Sequence, residues 1–366
     1  MPNKRIIIAG GGTGGHIFPA VAVANALRQI EPDIEILFVG AKGKMEMEKV
    51  PKAGYEIRGL DIAGLNRGQW WRNVSLPLKL FQSFFQVRNI FSSFKPEAAF
   101  GVGGYSSYPV LRYAQSKGIP TYIHEANAFG GKSNQLLAKR ARRVFVGTPG
   151  MERFFPASKI LFTGNPVRQE ILAVDKSQAE ALAVFGLTPG KVTLLVVGGS
   201  LGALSINMAV ASRIGLWVDE GFQLIWQTGK SFEAEALSLV KSKMGVYVSA
   251  FISDMNAAYR AADMVISRSG AMSVTELCLT HKAVIFVPYP YAAEDHQTAN
   301  AIALVNKNAA ILVSDKDAPR RLMSQALDLA LDKSLRMQLS NNIQHLAASD
   351  ADVVIAKEIL KDIENT

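Results

Sequence analysis

The sequence predicts two doubly wound α/β domains. Short β-branched runs alternate with helical stretches almost throughout, the pattern of parallel sheets covered by helices on both faces. The two halves also open alike: a buried strand enters Gly10-Gly11-Gly12-Thr13-Gly14-Gly15, and another enters Gly198-Gly199-Ser200-Leu201-Gly202. A chain of 366 residues, 49% apolar and 19% charged, suits two folded cores of common size and excludes a disordered polymer.

The elements follow in order. Arg5–Ala9, Ile36–Val39, Ala98–Val102, Thr121–His124 and Val144–Val146 read as strands of the first half. Val192–Val197, Leu224–Gln227, Val246–Ser249, Met264–Ser267, Ala283–Val287 and Ala310–Val313 read as strands of the second. A first helix is expected over Ala20–Arg28, after Pro19. Gly164-Asn165-Pro166, a polar helix and then Thr188-Pro189-Gly190 punctuate the chain between the sheets. We therefore expect a first domain over 1–165, a second over 166–340, and polar helices over 341–366 that pack back on the first.

Net charge is +9, from 40 basic against 31 acidic residues, which favours anionic partners: nucleic acid, phosphorylated substrates or an anionic membrane face. No basic run is interleaved with stacking aromatics along a sheet face, so nucleic acid fits poorly. The single cysteine, Cys278, excludes an internal disulfide and a thiolate metal cluster, and points to a reducing compartment. The apolar run after Met1-Pro2-Asn3-Lys4-Arg5 is too short for a signal peptide. The longest uncharged stretch, Val192 to Ser212, carries Gly198-Gly199-Ser200 in its middle and reads as strand, loop and helix rather than a membrane span.

Glycine turns between a strand and a helix let backbone N–H groups approach a phosphate or a sugar. Gly10-x-Gly12-x-x-Gly15 matches a dinucleotide fingerprint, yet the second strand ends Phe38-Val39-Gly40-Ala41, without the acidic residue that would hold a ribose. Gly-Lys-Ser occurs at Gly131 and Gly229, but Ala126 and Leu224 stand where a P-loop needs its first glycine. His16, beside the first turn, is either a helix cap or an imidazole placed to take a proton from a sugar hydroxyl. Ser267-Arg268-Ser269-Gly270-Ala271-Met272-Ser273-Val274-Thr275-Glu276 again runs from strand through small residues to helix, where the helix start would meet phosphates and Glu276 the two hydroxyls of a ribose. Pro288-Tyr289-Pro290-Tyr291 and Glu294-Asp295-His296-Gln297 with Asn300 form a polar loop suited either to sugar hydroxyls or to helix capping. Arg168, at the domain junction, would neutralise a diphosphate. Asp-x-Asp spacings occur at Asp315–Asp317 and Asp350–Asp352 and read as surface charge, so no metal site is expected.

Taken together, these segments resemble the MurG family of bacterial cell-wall synthesis. The likeness runs through Gly11-Gly12-Thr13-Gly14-Gly15-His16, Gly103-Gly104-Tyr105, His124-Glu125-Ala126-Asn127, Gly164-Asn165-Pro166-Val167-Arg168, Gly198-Gly199-Ser200, the Ser269–Glu276 segment and Asp295-His296-Gln297. It implies a GT-B fold, two Rossmann-like doubly wound parallel-sheet domains facing across a cleft. It further implies an inverting, cofactor-free transfer of N-acetylglucosamine (GlcNAc) from UDP-GlcNAc to lipid I, the undecaprenyl-linked acceptor. On that likeness the donor contacts fall on Thr13, Gly14, Gly15, Asn127, Arg168, Ser200, backbone at Ile252, Ala271, Met272, Ser273, Val274, Thr275, Glu276 and Gln297. His16 takes the base position and Glu125 is the second catalytic residue, with Tyr105 and Glu125 near the acceptor. The family often carries Gln where this chain has Ala126 and Leu201, so the hydrogen bonds of those amides are absent or supplied by neighbours. Other GT-B transferases and UDP-sugar epimerases share the architecture.

Leu65–Phe94 interleaves aromatic and aliphatic groups with cations. Trp70, Trp71, Leu76, Lys79, Phe81 and Phe85 make an expected contact with anionic lipid, although some aromatics of the stretch must belong to the core. The resemblance then implies a peripheral enzyme on the cytoplasmic face of the plasma membrane.

Overall fold

The computed structural model describes residues 4–12, 14–63, 76–167, 171 and 175–364. The chain divides into two compact units, Met1–Arg168 with Ala348–Thr366, and Gln169–Ala347. Helices α1 (Gly14–Ile30), α2 (Glu46–Lys52), α3 (Leu76–Phe94), α4 (Ser107–Ser116) and α5 (Lys132–Ala138) belong to the first unit. The second holds α6 (Gln178–Val184), α7 (Leu204–Asp219), α8 (Glu233–Val240), α9 (Met255–Ala261), α10 (Ala271–Leu279), α11 (His296–Val305), α12 (Ala318–Leu331) and α13 (Lys333–Gln344). The last helix, α14 (Ala351–Glu364), returns to the first unit.

In unit 1, β1 (Arg5–Ala9), β2 (Glu35–Ala41), β3 (Glu56–Leu60), β4 (Ala98–Gly101), β5 (Thr121–Glu125), β6 (Arg143–Val146) and β7 (Ile160–Phe162) pair in parallel, in the order β3-β2-β1-β4-β5-β6-β7. Because helices cover both faces, β1 is apolar at successive positions instead of alternating. Ile6 and Ile8 pack with Val23 and Leu27 of α1 and with Ile355 and Ile359 of α14. Ile7 and Ala9 point the other way, to Val87 and Phe91 of α3 and Val110 and Leu111 of α4. The C-terminal helix is further tied to the sheet where Tyr122 Oη donates to Asp362 at 2.8 Å and Arg142 pairs with the same carboxylate.

In unit 2, β8 (Thr193–Val197), β9 (Gln223–Gln227), β10 (Val246–Ser249), β11 (Met264–Ser267), β12 (Ala283–Phe286) and β13 (Ile311–Leu312) form a parallel sheet in the order β10-β9-β8-β11-β12-β13. Its two largest buried side chains are fully satisfied. Trp226 Nε1 donates to Asn207 Oδ1 at 3.0 Å, and Trp217 Nε1 donates to the Gln223 carbonyl at 3.1 Å.

The strand order reverses between β1 and β4 in unit 1 and between β8 and β11 in unit 2. In open parallel sheets the crevice at such a reversal, beyond the strands' carboxyl ends, is where ligands bind. Three details differ from the sequence expectation. Strands β3 and β7 were not among the expected ones, the first because Glu56 and Arg58 break the apolar run of an edge strand, the second because it is three residues long. Helix α1 begins at Gly14, ahead of Pro19, so His16 lies in its first turn; Pro19 merely has no N–H to offer the Gly15 carbonyl. The units divide at 168 and 347, and α13 stays with unit 2, where Leu339 and Ile343 enter its core.

Candidate active site

In unit 1 the turn after β1 touches the turn after β4. Gly104, at φ +82°, lies so close that a Cβ there would stand 2.7 Å from the Gly11 carbonyl oxygen, so only glycine fits this approach. His16 is half-buried over these turns. Its Nδ1 lies 3.1 Å from the Gly11 carbonyl oxygen, and since a carbonyl only accepts, Nδ1 carries the hydrogen. The Nε2 edge of the ring packs on Gly103, where a Cβ would be 3.1 Å from Nε2. Tyr105 follows directly. Its hydroxyl is buried and finds no hydrogen-bond partner among the described residues, and burial, with the Glu46 carboxylate nearby, pushes its pKa up.

Glu125, at the end of β5, is buried, and both its oxygens are committed to the chain. Oε1 accepts from the backbone N–H and Nδ2 of Asn127 at 3.2 and 3.3 Å, and Oε2 accepts from the Gly131 N–H and Asn134 Nδ2, each at 2.9 Å. It shapes the loop that presents Asn127. Neighbouring His124 is fully buried, which pulls its pKa down to about 4 and keeps the ring neutral.

In unit 2 the turn Gly198–Gly202 leads from β8 into α7, closed by Gly202 N–H donating to the Gly199 carbonyl at 3.0 Å. Gly202, at φ +80°, backs onto the Thr228 carbonyl, which a Cβ would meet at 2.1 Å. Ser200 is exposed on the tip, and Leu201 is 87% exposed beside it. Gln227, buried at the end of β9, joins this turn to the next loop: its Nε2 donates to the Gly199 carbonyl at 3.0 Å, and its Oε1 accepts the Ile252 N–H at 2.9 Å. Ile252 therefore has its carbonyl as the backbone group to offer a ligand.

The second turn of unit 2, after β11, feeds α10, whose N-terminus has no side-chain cap. Of the stretch singled out in the sequence, Ser273 lines a cavity of about 810 Å³ together with Gly198, Gly199, Gly270, Tyr289 and Gln297. Val274 packs against the core, and Thr275 Oγ1 donates to the Ala271 carbonyl of its own helix at 2.9 Å. Ala271 and Met272 are half-buried on the first turn. Glu276 Oε2 accepts from Tyr259 Oη at 3.0 Å, which orients the carboxylate. Gln297 Oε1 accepts the Tyr289 N–H at 3.0 Å, which fixes the amide with Nε2 as its donor end. Gly14 and Gly15 open α1, whereas Thr13, Arg168, Trp70 and Trp71 lie outside the described residues.

Asp315 corrects a sequence expectation. It is not solvated surface charge but the partner of Arg268, whose guanidinium also donates to the Val287 and Pro288 carbonyls and to Ser205 Oγ. Asp352 is buried too, in the first turn of α14. The sequence reading missed Arg268, Gln227 and Glu46, three polar side chains that organise the turns from behind. Gln227 alone carried a signal, as a buried polar residue closing an apolar strand. Among the described residues, no three His, Cys, Asp or Glu side chains gather as a metal site.

On α3, Phe81 and Phe85 are 61% and 51% exposed, one helical turn apart, with rings edge to face at 4.9 Å. Phe91 of the same helix is buried. Leu76 and Lys79 lie in its first turn, their side chains outside the described residues. No helix among the described residues is long and apolar enough to cross a membrane.

Two parallel sheets, each with a glycine turn at its reversal point, are a frame that nucleotide-sugar transferases use. Residues 6–146 match the glycosyltransferase family 28 N-terminal domain and residues 193–357 the family 28 C-terminal domain. The chain belongs to this glycosyltransferase family, and within it to the MurG family. It is 52% identical, over 98% of its length and 95% of the relative's, to the UDP-N-acetylglucosamine--N-acetylmuramyl-(pentapeptide) pyrophosphoryl-undecaprenol N-acetylglucosamine transferase of Bacteroides fragilis. The protein of that name from Parabacteroides distasonis is 49% identical over the whole of both chains. The crystal structure of Acinetobacter baumannii MurG superposes with a TM-score of 0.79 at 28% identity, covering 98% of this chain and 99% of that one.

Proposed function

We propose that this chain is an inverting glycosyltransferase that moves GlcNAc from UDP-GlcNAc to the 4-hydroxyl of the N-acetylmuramyl residue of undecaprenyl-pyrophosphoryl-N-acetylmuramyl-pentapeptide, the lipid I to lipid II step of peptidoglycan synthesis. The observation that carries this reading is the full-length match, at about half identity, to relatives bearing that activity.

The residues divide the work by chemistry. The acceptor oxygen attacks the anomeric carbon from the face opposite UDP. The new C–O bond forms as the bond to the diphosphate oxygen breaks, UDP leaves with the electron pair, and the hydroxyl proton passes to His16 Nε2. The Nδ1 hydrogen bond to Gly11 sets the tautomer this step requires. Charge growing on the leaving diphosphate is met by the uncapped start of α10, the Ser200 turn and Arg168. Glu276 accepts from the ribose hydroxyls, the Ile252 carbonyl meets the base, and Nε2 of Gln297 donates to the sugar. Asn127, with Gly14 and Gly15, contacts the donor sugar, and Tyr105 lies against the acceptor. Glu125 serves by holding the Asn127 loop rather than by taking a proton, since its oxygens already accept four hydrogen bonds.

The lipid-linked acceptor requires the enzyme to work at a membrane. Phe81 and Phe85, with Trp70, Trp71, Leu76 and Lys79, form the patch we assign to peripheral contact with the anionic cytoplasmic face of the plasma membrane.

The test is transfer of radiolabel from UDP-GlcNAc in detergent, with and without lipid I and with and without chelator. Label entering a lipid product only when lipid I is present is the expected result. Consumption of UDP-GlcNAc without acceptor would instead mark an epimerase, and loss of transfer on chelation would mark a metal requirement. His16→Ala should lower turnover by about a hundredfold or more while leaving UDP affinity unchanged.

A further inference from the structure

Glu46 belongs to no motif, yet it is one of the most deeply buried charged side chains among the described residues, at 1% exposure. It stands at the start of α2 with its carboxylate under the first glycine turn. Oε1 accepts the Ala41 N–H at 3.0 Å, from the end of β2, and Oε2 accepts the Gly12 N–H at 2.8 Å. The fit is close: a Cβ on Gly11 would meet Oε1 at 2.2 Å, and one on Gly40 would meet Cγ at 2.5 Å. A buried carboxylate is a costly way to satisfy two backbone donors, since it must be taken out of water.

What it gains becomes visible from the other side of the same peptide group. The Gly12 N–H and the Gly11 carbonyl belong to one peptide, and that carbonyl accepts the hydrogen bond from His16 Nδ1. A trans peptide points these two groups in opposite directions, so carboxylate, peptide and imidazole form one chain: Glu46 Oε2, N–H of Gly12, carbonyl of Gly11, Nδ1–H of His16. An anion on the N–H draws the peptide dipole toward greater negative charge at oxygen, and linked hydrogen bonds of this kind strengthen one another in a dry interior. We infer that Glu46 is a positioning residue for the transfer reaction, acting on His16 through this single peptide group: it fixes Nδ1 as the protonated nitrogen and stabilises the positive ring formed when Nε2 takes the acceptor's proton. The arrangement does for His16 what a directly bonded carboxylate does for the histidine of a hydrolase triad. The inference rests on His16 being the base.

Among the described residues, the titratable groups near His16 are Glu46 from α2, Tyr105 from the turn after β4 and His124 from β5, with Glu125 next to His124 on that strand. His124 stays neutral above about pH 4, Tyr105 is raised above its ordinary range, and Glu125 is spent on Asn127, Gly131 and Asn134. Glu46 is the carboxylate whose hydrogen bonds lead to the imidazole.

The experiment combines activity with a direct view of the ring. In Glu46→Gln, kcat should fall about tenfold at neutral pH, the size of effect that groups one step removed from the chemistry command, with UDP affinity unchanged. The acid limb of the kcat/KM profile, and the titration of His16 followed by ¹⁵N NMR of histidine-labelled protein, should both move to lower pH. In a His16→Ala background the Gln substitution should cost nothing further. An unmoved limb and titration in Glu46→Gln, with His16→Ala still inactive, would overturn the relay and leave His16 as base. Retained turnover in His16→Ala would overturn the base reading itself and the relay with it. Should Glu46→Gln fail to fold, the wild-type spectrum decides: neutral His16 must be protonated at Nδ1, and a ring protonated at Nε2 would sink the inference.

Discussion

At the scale of single residues, burial sets the titration behaviour of this protein. Cys278, on the buried face of the last turn of α10, has its thiol pushed up to about 12 by burial alone, so a thiol reagent should leave the native protein unlabelled and modify one site per chain on unfolding. His124 gives a pH dependence of defined sign. Folded, it takes a proton only near pH 4, whereas an unfolded histidine does so near 6.5. Between these values the unfolded chain binds more protons, so the stability His124 allows is complete above pH 6.5 and falls as the pH drops toward 4, by about 3 kcal/mol. A melting temperature that stays flat from pH 7 to 4.5 would contradict this. Residues of this scale were only partly legible in the sequence. His16 and Glu276 announced themselves by standing next to glycine turns, but Glu46 sits in Met45-Glu46-Met47-Glu48, where nothing local separates the buried carboxylate from exposed Glu48. Which of the two faces the turn is decided by the packing of α2 on β2.

At the scale of elements, the parallel sheets were the legible part, because a strand covered on both faces must be apolar at every position and so stands out as an unbroken run, as in Ile6-Ile7-Ile8 or Leu194-Leu195-Val196. Edge strand β3 escaped for the opposite reason, and the start of α1 was misjudged because Pro19 reads as a helix opening although a proline several residues in can be carried by a helix held from both sides. Helix α3 divides its aromatics by face: Val87 and Phe91 hold the core, and Phe81 and Phe85 face outward. Replacing both exposed phenylalanines with serine should weaken flotation with anionic liposomes while leaving the melting temperature within about 2 °C, since neither ring is buried. Unchanged flotation would remove this helix from the membrane assignment. Helix α14 answers a different test: Ile359 is fully buried against α1, and Ile359→Ala should destabilise unit 1 by about 3 kcal/mol, read from denaturant unfolding.

At the scale of the whole molecule, both units use one plan, a parallel sheet whose reversal point carries a glycine turn into a helix, and they equip it differently. Unit 1 places a histidine and buried carboxylates around its turns; unit 2 places an uncapped helix start, an oriented glutamate and an oriented amide around its own. This difference agrees with the proposed division of labour, proton handling in one unit and nucleotide-sugar binding in the other. Unit 1 is also interrupted. Its sheet is written in the first part of the chain, yet the helix that covers α1 is Ala351–Glu364, after all of unit 2. During synthesis the ribosome must therefore finish unit 2 before the lobe bearing His16 can close over its own core, and a nascent chain halted anywhere before α14 would present Ile6, Ile8 and Leu27 to chaperones and proteases instead of a sealed interior.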